Sequence, residues 1–213
     1  MPETSVDASP PIDWGVAAST LPGQTQSGDL HLVKHVSTGV LLAVVDGLGH
    51  GAEAATAARR AVATLDEHAS ESVLALLQRC HWALKGTRGV VMSLAFADRQ
   101  QHALTWAGVG NVECMLFHSA GAPSSNPARA SLVTRGGIVG SELPQVRPQV
   151  LPLAAGDLLI FATDGIREGF SDGLPFEAAP QQLAEHILRQ HGKGTDDALV
   201  LVARYRGGTR TSG

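Results

Sequence analysis

The chain has 213 residues, of which 44% are hydrophobic and 17% charged, and carries a net charge of −4 at neutral pH. That length suits one domain with a real core. The charge balance, with no block of Lys or Arg, argues against nucleic-acid or membrane-surface binding by electrostatics. No apolar run nears the ~20 residues that span a bilayer, and two cysteines, Cys80 and Cys114, cannot make a disulfide framework.

Residues 1–11 are polar and carry three prolines, which predicts a disordered lead-in. They lack a basic stretch followed by an apolar one, so no signal peptide is read here and a cytoplasmic, monomeric protein is expected. Strands are predicted at 12–19, 31–36 and 40–45. A helix follows from 52 to about 68, with Ala55, Ala58, Val62 and Leu65 as a narrow stripe that can lie close against a sheet. A second helix is predicted from 71 to about 84, with Ser70 as its cap, Gly86 at its end, and Leu74, Leu77, Cys80, His81 and Leu84 on one side. Strands then crowd together at 90–97, 102–107, 112–118, 131–134, 146–151 and 158–163, interrupted by a Ser/Pro/Ala/Gly loop at 119–131. In 102–107, Leu104 and Trp106 share one face and Ala103, Thr105 and Ala107 the other. A third helix is expected from 181 to about 190, with Pro180 at its start, then a last strand at 198–205 and a flexible tail at 207–213. Helices and strands are segregated, which predicts an α+β fold of antiparallel sheets covered by helices.

The aspartates stand out against this background. Asp46 ends the run LLAVVDGLGHG, Asp164 ends LLIFATDG, and the pair Asp196-Asp197 precedes ALVLV; Asp29 sits in QSGDL. A carboxylate at the end of a buried strand is costly unless paired or metal-bound. The sequence offers few cations close to these positions, and Arg167 is the only one near Asp164. Several such carboxylates without matching bases, and with glycine directly after Asp46 and Asp164, point to an oxygen-ligated divalent cation site, Mg or Mn. No H-x-x-x-H or H-x-H pair occurs among the nine histidines, which argues against zinc. A single Asp-Gly is more often a turn than a ligand. Gly156-Asp157 is read that way and left out, and it is the set that makes coincidence the weaker explanation.

The segments SGD (27–29), VVDGLGHG (44–51), GTRGVVMSLAFAD (86–98), WAGVGNVE (106–113), ATDGI (162–166) and DDALVLV (196–202) occur in the order found in type 2C-like metal-dependent serine/threonine phosphatases. The chain resembles their bacterial SpoIIE-type branch, and within it the compact stand-alone phosphatases of stressosome signalling, over about residues 12–206. The resemblance implies a four-layer α-β-β-α sandwich with two Mn or Mg ions at one edge, and catalysis by a metal-bridging hydroxide that attacks phosphorus with no protein nucleophile. It implies that Asp46 bridges both ions and the Gly47 carbonyl binds one. Asp164 and Asp196 hold an ion partly through water, Asp29 occupies an outlying acidic position, and Asp197 ranks second to Asp196. The implied substrate is phosphoserine or phosphothreonine on a stressosome scaffold or anti-sigma pathway component. The eukaryotic members place a His directly after the first Asp-Gly and an early Arg that grips phosphate. Here Leu48 follows Gly47, His50 comes two residues later, and TLPGQTQSGD has no Arg.

Two other readings compete. DGLGHG could cradle a nucleotide phosphate, but neither G-x-x-x-x-G-K-[ST] nor G-x-G-x-x-G is present. A catalytically inactive binding module is the second, and the retention of every acidic position counts against it. Neither cysteine has an Arg six residues on, so a cysteine-phosphatase loop is excluded; both are read as core. Trp106 and Met92 are read as core, Asn111 as a turn residue near the site, and Arg88 as a solvated surface arginine.

Overall fold

Antiparallel pairing organises the computed structural model, which describes residues 11–119 and 129–207. The strands are β1 (Ile12–Ser19), β2 (Asp29–Val36), β3 (Gly39–Gly47), β4 (Val90–Asp98), β5 (Ala103–Val109), β6 (Glu113–Phe117), β7 (Arg129–Ser131), β8 (Gln149–Pro152), β9 (Leu158–Ala162) and β10 (Ala198–Tyr205). The helices are α1 (Ala52–Glu67), α2 (Val73–Ala83) and α3 (Pro180–His191). One five-stranded sheet has the order β1-β10-β9-β6-β7 and the other β2-β3-β4-β5-β8. The expected α+β sandwich is what forms. Most of the lead-in at 1–11, the tail at 207–213 and the interior of the loop at 119–131 lie outside the described residues. Among the described residues no helix is long and apolar enough to cross a membrane.

Burial on both faces explains why the central strands are apolar throughout. Val40, Leu42 and Val44 of β3 pack between the sheets with Leu104 and Trp106 of β5, Leu159 and Phe161 of β9, and Leu199 and Leu201 of β10. The alternate residues Leu41, Ala43 and Val45 point the other way, onto Ala57, Ala58, Ala61 and Leu65 of α1 and Leu76, Leu77 and Cys80 of α2. On the far side α3 covers β9 and β10 through Leu183, Ala184 and Ile187 against Ile160, Val200 and Val202. The order of layers is therefore helices, sheet, sheet, helix. Leu104 and Trp106 face the opposite sheet while Ala107 faces the helices, as the alternation predicts.

Three local expectations are corrected. Ser72, not Ser70, caps α2 by accepting from the Ala75 amide at 3.3 Å. Ser70 lies in the turn closed by the Glu71 amide on the His68 carbonyl, so the helix starts later and turns Val73 and Leu76 inward beside Leu77 and Cys80. The strand expected at 131–134 is β7, ending at Ser131, because the chain then crosses to the other sheet. There the Arg135 carbonyl accepts from the Gly110 amide. The strand expected at 146–151 begins only at Gln149, where pairing with β5 starts.

β1 is an edge strand, and edges invite unwanted pairing. Here Gln181 of α3 covers part of it: its amide donates to the Val16 carbonyl and accepts from the Val16 amide, both at 3.0 Å, as a neighbouring strand would. Gly15 makes this approach possible, since a Cβ there would lie 2.3 Å from the Gln181 backbone. Gly15→Ala should therefore push α3 off the sheet at about 1–3 kcal/mol. A thermal melt should show a drop of several degrees, and an unchanged melting temperature would contradict this seating of α3.

Candidate metal centre and active site

Strand direction brings the aspartates together. β2 starts at Asp29 and β3 ends just after Asp46, and the two residues are direct cross-strand partners. Opposed antiparallel partners hold their Cβ atoms about 4.5–5.5 Å apart. In the other sheet, Asp164 follows the end of β9 and Asp196-Asp197 precede β10, which pairs with it antiparallel. All five carboxylates thus lie at one end of the sandwich. Asp46, Asp164 and Asp196 line a cleft of about 220 Å³ with Leu48, Gly49, His50, Val91, Asn111 and Ile138.

Each carboxylate has a different setting. Asp29 is buried, with 4% exposure, and accepts from the Thr163 hydroxyl at 2.7 Å. Burial pushes its carboxyl up to about 7; the Thr163 bond lowers it in part, and the charges of Asp197, Asp164 and Asp196 raise it. Burial pushes Asp46 up to about 8, with Asp29, Asp164, Asp196 and Asp197 adding to it. Among the described residues the Asp46 carboxylate accepts no hydrogen bond, and none of the five pairs with a Lys, Arg or His. Asp164 is exposed and accepts from the Asn111 amide at 2.9 Å.

Asp196 and Asp197 differ in direction. Asp196 faces the cleft. Asp197, 3% exposed, turns inward, and its two oxygens accept from the Leu21 and Gly28 amides at 2.8 and 2.7 Å. It ties down the loop that leads to Asp29. Asp29 lies at the base of the cluster beside Asp46. Asp157, left out of the set, precedes β9 while Asp164 follows its end; it is spent on His118 and the Ser119 and Ala154 amides.

Sequence reasoning missed two members. Thr163 joins the sheets' ends: it donates to Asp29 and accepts from the Leu199 amide at 2.8 Å. Its only signal was its place before Asp164. The cation beside Asp164 is Lys193, whose ammonium donates to the Asp164 carbonyl, and not Arg167. The glycines after the aspartates also have a steric reason. A Cβ on Gly47 would stand 2.3 Å from the Ala54 carbonyl oxygen of α1, and one on Gly165 would stand 2.0 Å from that of Asp197.

The donor set is oxygen only, strongly negative and short of protein partners, which fits divalent cations of the Mg or Mn kind. Among the described residues no three His, Cys, Asp or Glu side chains close into a ready metal cage.

The family model described as Stage II sporulation protein E (SpoIIE) matches residues 37–206. The chain is 28% identical over 144 residues to the phosphoserine phosphatase RsbX of Bacillus subtilis (strain 168), covering 68% of this chain and 69% of that protein. Among solved structures, a chain from work on the bacterial stressosome as a modular system that controls secondary messenger signalling is 32% identical. Its TM-score is 0.81, with 91% of this chain and 99% of that one covered. RsbX in complex with magnesium gives a TM-score of 0.79 at 22% identity over 91% and 95% of the two chains. The serine/threonine phosphatase PstP/Ppp of Mycobacterium tuberculosis gives 0.65 at 18% over 92% and 99%.

The raised carboxyls set a pH dependence. Asp29 and Asp46 have folded-state values of about 7 and about 8 against an ordinary 3.8. Groups raised on folding contribute stability that is complete below the unfolded value and lost as pH climbs through the folded one. Metal-free protein should therefore lose stability between about pH 4 and pH 8. Asp46→Asn should remove part of that loss and melt higher than wild type at pH 8 in EDTA. Manganese should raise the wild-type melting temperature there more than the variant's. A variant that melts lower than wild type in EDTA at pH 8 would contradict the electrostatic account.

Proposed function

The chain belongs to the SpoIIE-type, PP2C-like family of protein phosphatases, and we propose that it releases phosphate from phosphoserine or phosphothreonine on a bacterial regulatory protein. The proposed substrate is a stressosome scaffold or an anti-sigma pathway component, and the proposed catalytic unit is residues 12–206. One observation carries this reading. Aspartates from three separate segments line one cleft, Asp29 opposes one of them across neighbouring strands, and no Lys, Arg or His among the described residues pairs with them.

In this reading Asp46, Asp164 and Asp196 hold two divalent ions, Mn or Mg, with Asp29 beside Asp46 and the Gly47 carbonyl close by. Bound cations supply a water of lowered pKa and neutralise charge that develops on the phosphoryl oxygens. The protein's part is positioning. Asn111 donates to the Asp164 carboxylate and Lys193 to its carbonyl, which fixes that side chain at the cleft mouth. Thr163 fixes Asp29, and Asp197 holds the 21–28 loop closed behind it. Cys80 and Cys114 are buried, with thiols pushed up to about 12 and well above the ordinary value by that burial, so neither offers a thiolate nucleophile.

The test is manganese-dependent phosphate release from a phosphoserine peptide and from phosphorylated regulatory proteins. Asp46→Ala and Asp164→Ala should fall to background while keeping a cooperative thermal transition, and EDTA should silence the wild type. Full activity in either variant, or in EDTA, would overturn the two-metal reading. Tight phosphoprotein binding without release would favour an inactive binding module.

A further inference from the structure

Two divalent cations do no more than offset the carboxylates gathered at this end of the sandwich. A phosphoserine brings about −1.5 to −2 more charge at neutral pH. Something cationic must meet it, yet no Lys or Arg lines the cleft among the described residues. Two basic side chains lie at its rim. Lys193 is committed to the Asp164 carbonyl. Arg88, in the loop before β4, uses only its Nε, on Glu53 in the first turn of α1; its terminal nitrogens have no partner among the described residues.

The position of those nitrogens is informative. A Cβ built on Gly49 would lie 2.7 Å from Arg88 Nη1, and Gly49 itself lines the cleft. Gly49 therefore stands between the cleft and the guanidinium, which lines a neighbouring hollow with Glu53, Thr56 and Thr87. The Leu48 amide bonds the Gly89 carbonyl at 3.2 Å, so the loop that carries Arg88 is fixed to the loop that carries Gly49. The Arg88–Glu53 pair is open to solvent, with side-chain exposures of 52% and 70%, and exposed pairs hold weakly.

We propose that Arg88 is the phosphoryl-gripping residue, held in readiness by Glu53 and reaching the substrate phosphate across Gly49. A guanidinium matches phosphate with two parallel hydrogen bonds, which a carboxylate at the rim of an open site does not hold against a dianion. The proposal rests on the phosphatase reading above and deepens it.

Kinetics with a phosphoserine peptide and manganese test it, together with calorimetric binding of orthophosphate to the manganese-loaded protein. Arg88→Ala should raise KM and weaken orthophosphate binding by about tenfold to a hundredfold, as expected for charged hydrogen bonds, with manganese affinity unchanged. Arg88→Lys should recover only part of this, because an ammonium makes no bidentate pair. Glu53→Gln should move KM the opposite way, downward, by freeing the guanidinium. If Arg88 merely staples the loop to α1, Arg88→Ala and Glu53→Gln shift KM and melting temperature in the same direction, and the proposal fails. Unchanged orthophosphate binding in Arg88→Ala also overturns it. A wild type that binds orthophosphate through Arg88 but releases none from peptide would overturn the phosphatase reading and leave this one standing.

Discussion

Asp29 and Asp46 face each other across neighbouring strands, in a place where neither can ionise cheaply, and the end of the molecule is arranged around that cost. Both carboxyls are raised by burial first and by neighbouring aspartates second. In an ordinary core such a pair would recruit an arginine or be replaced. Here the surrounding groups that do reach the pair's neighbourhood are fixed donors, such as the Thr163 hydroxyl and the amides bound by Asp197, which hold the carboxylates in place without neutralising them. Among the described residues no cationic side chain pairs with either carboxylate.

The sandwich supplies the rigidity this needs. β3 is buried on both faces, locked between β2 and β4 and covered by α1 and by the opposite sheet. Asp46 therefore has no backbone freedom with which to retreat from Asp29. On the other sheet the antiparallel pairing of β9 with β10 sets Asp164 and Asp196 at the same level. Thr163 then bolts the two sheets' ends together, because it bonds both Asp29 and Leu199. Strands carry Asp29 and Asp46, while Asp164, Asp196 and Asp197 sit in the short segments that leave β9 and enter β10.

Glycine serves this design by close approach. α1 passes directly over Gly47 and the Asp197 backbone over Gly165, so the residue after each key aspartate is small because another backbone occupies the space of its side chain. At Gly49 the space beside a Cβ is taken by the Arg88 guanidinium. His50 is exposed and lines the cleft.

By itself the sequence determined the strand-rich sandwich and the five aspartates, because both are local signals. A strand buried on two faces must be apolar throughout, as Val40–Val45 is, and a carboxylate that ends such a run declares itself. It also showed that Asp157 belongs to a turn, since one Asp-Gly or Gly-Asp needs no other explanation. Only the tertiary structure decided that Asp29 opposes Asp46, that Asp196 faces the cleft while Asp197 turns inward to Leu21 and Gly28, and that Lys193 is the cation at Asp164. It alone brought Arg88 to Gly49. Each of these depends on segments far apart in the chain, and for Asp29 and Asp46 a one-residue change of register would send the side chain to the other face.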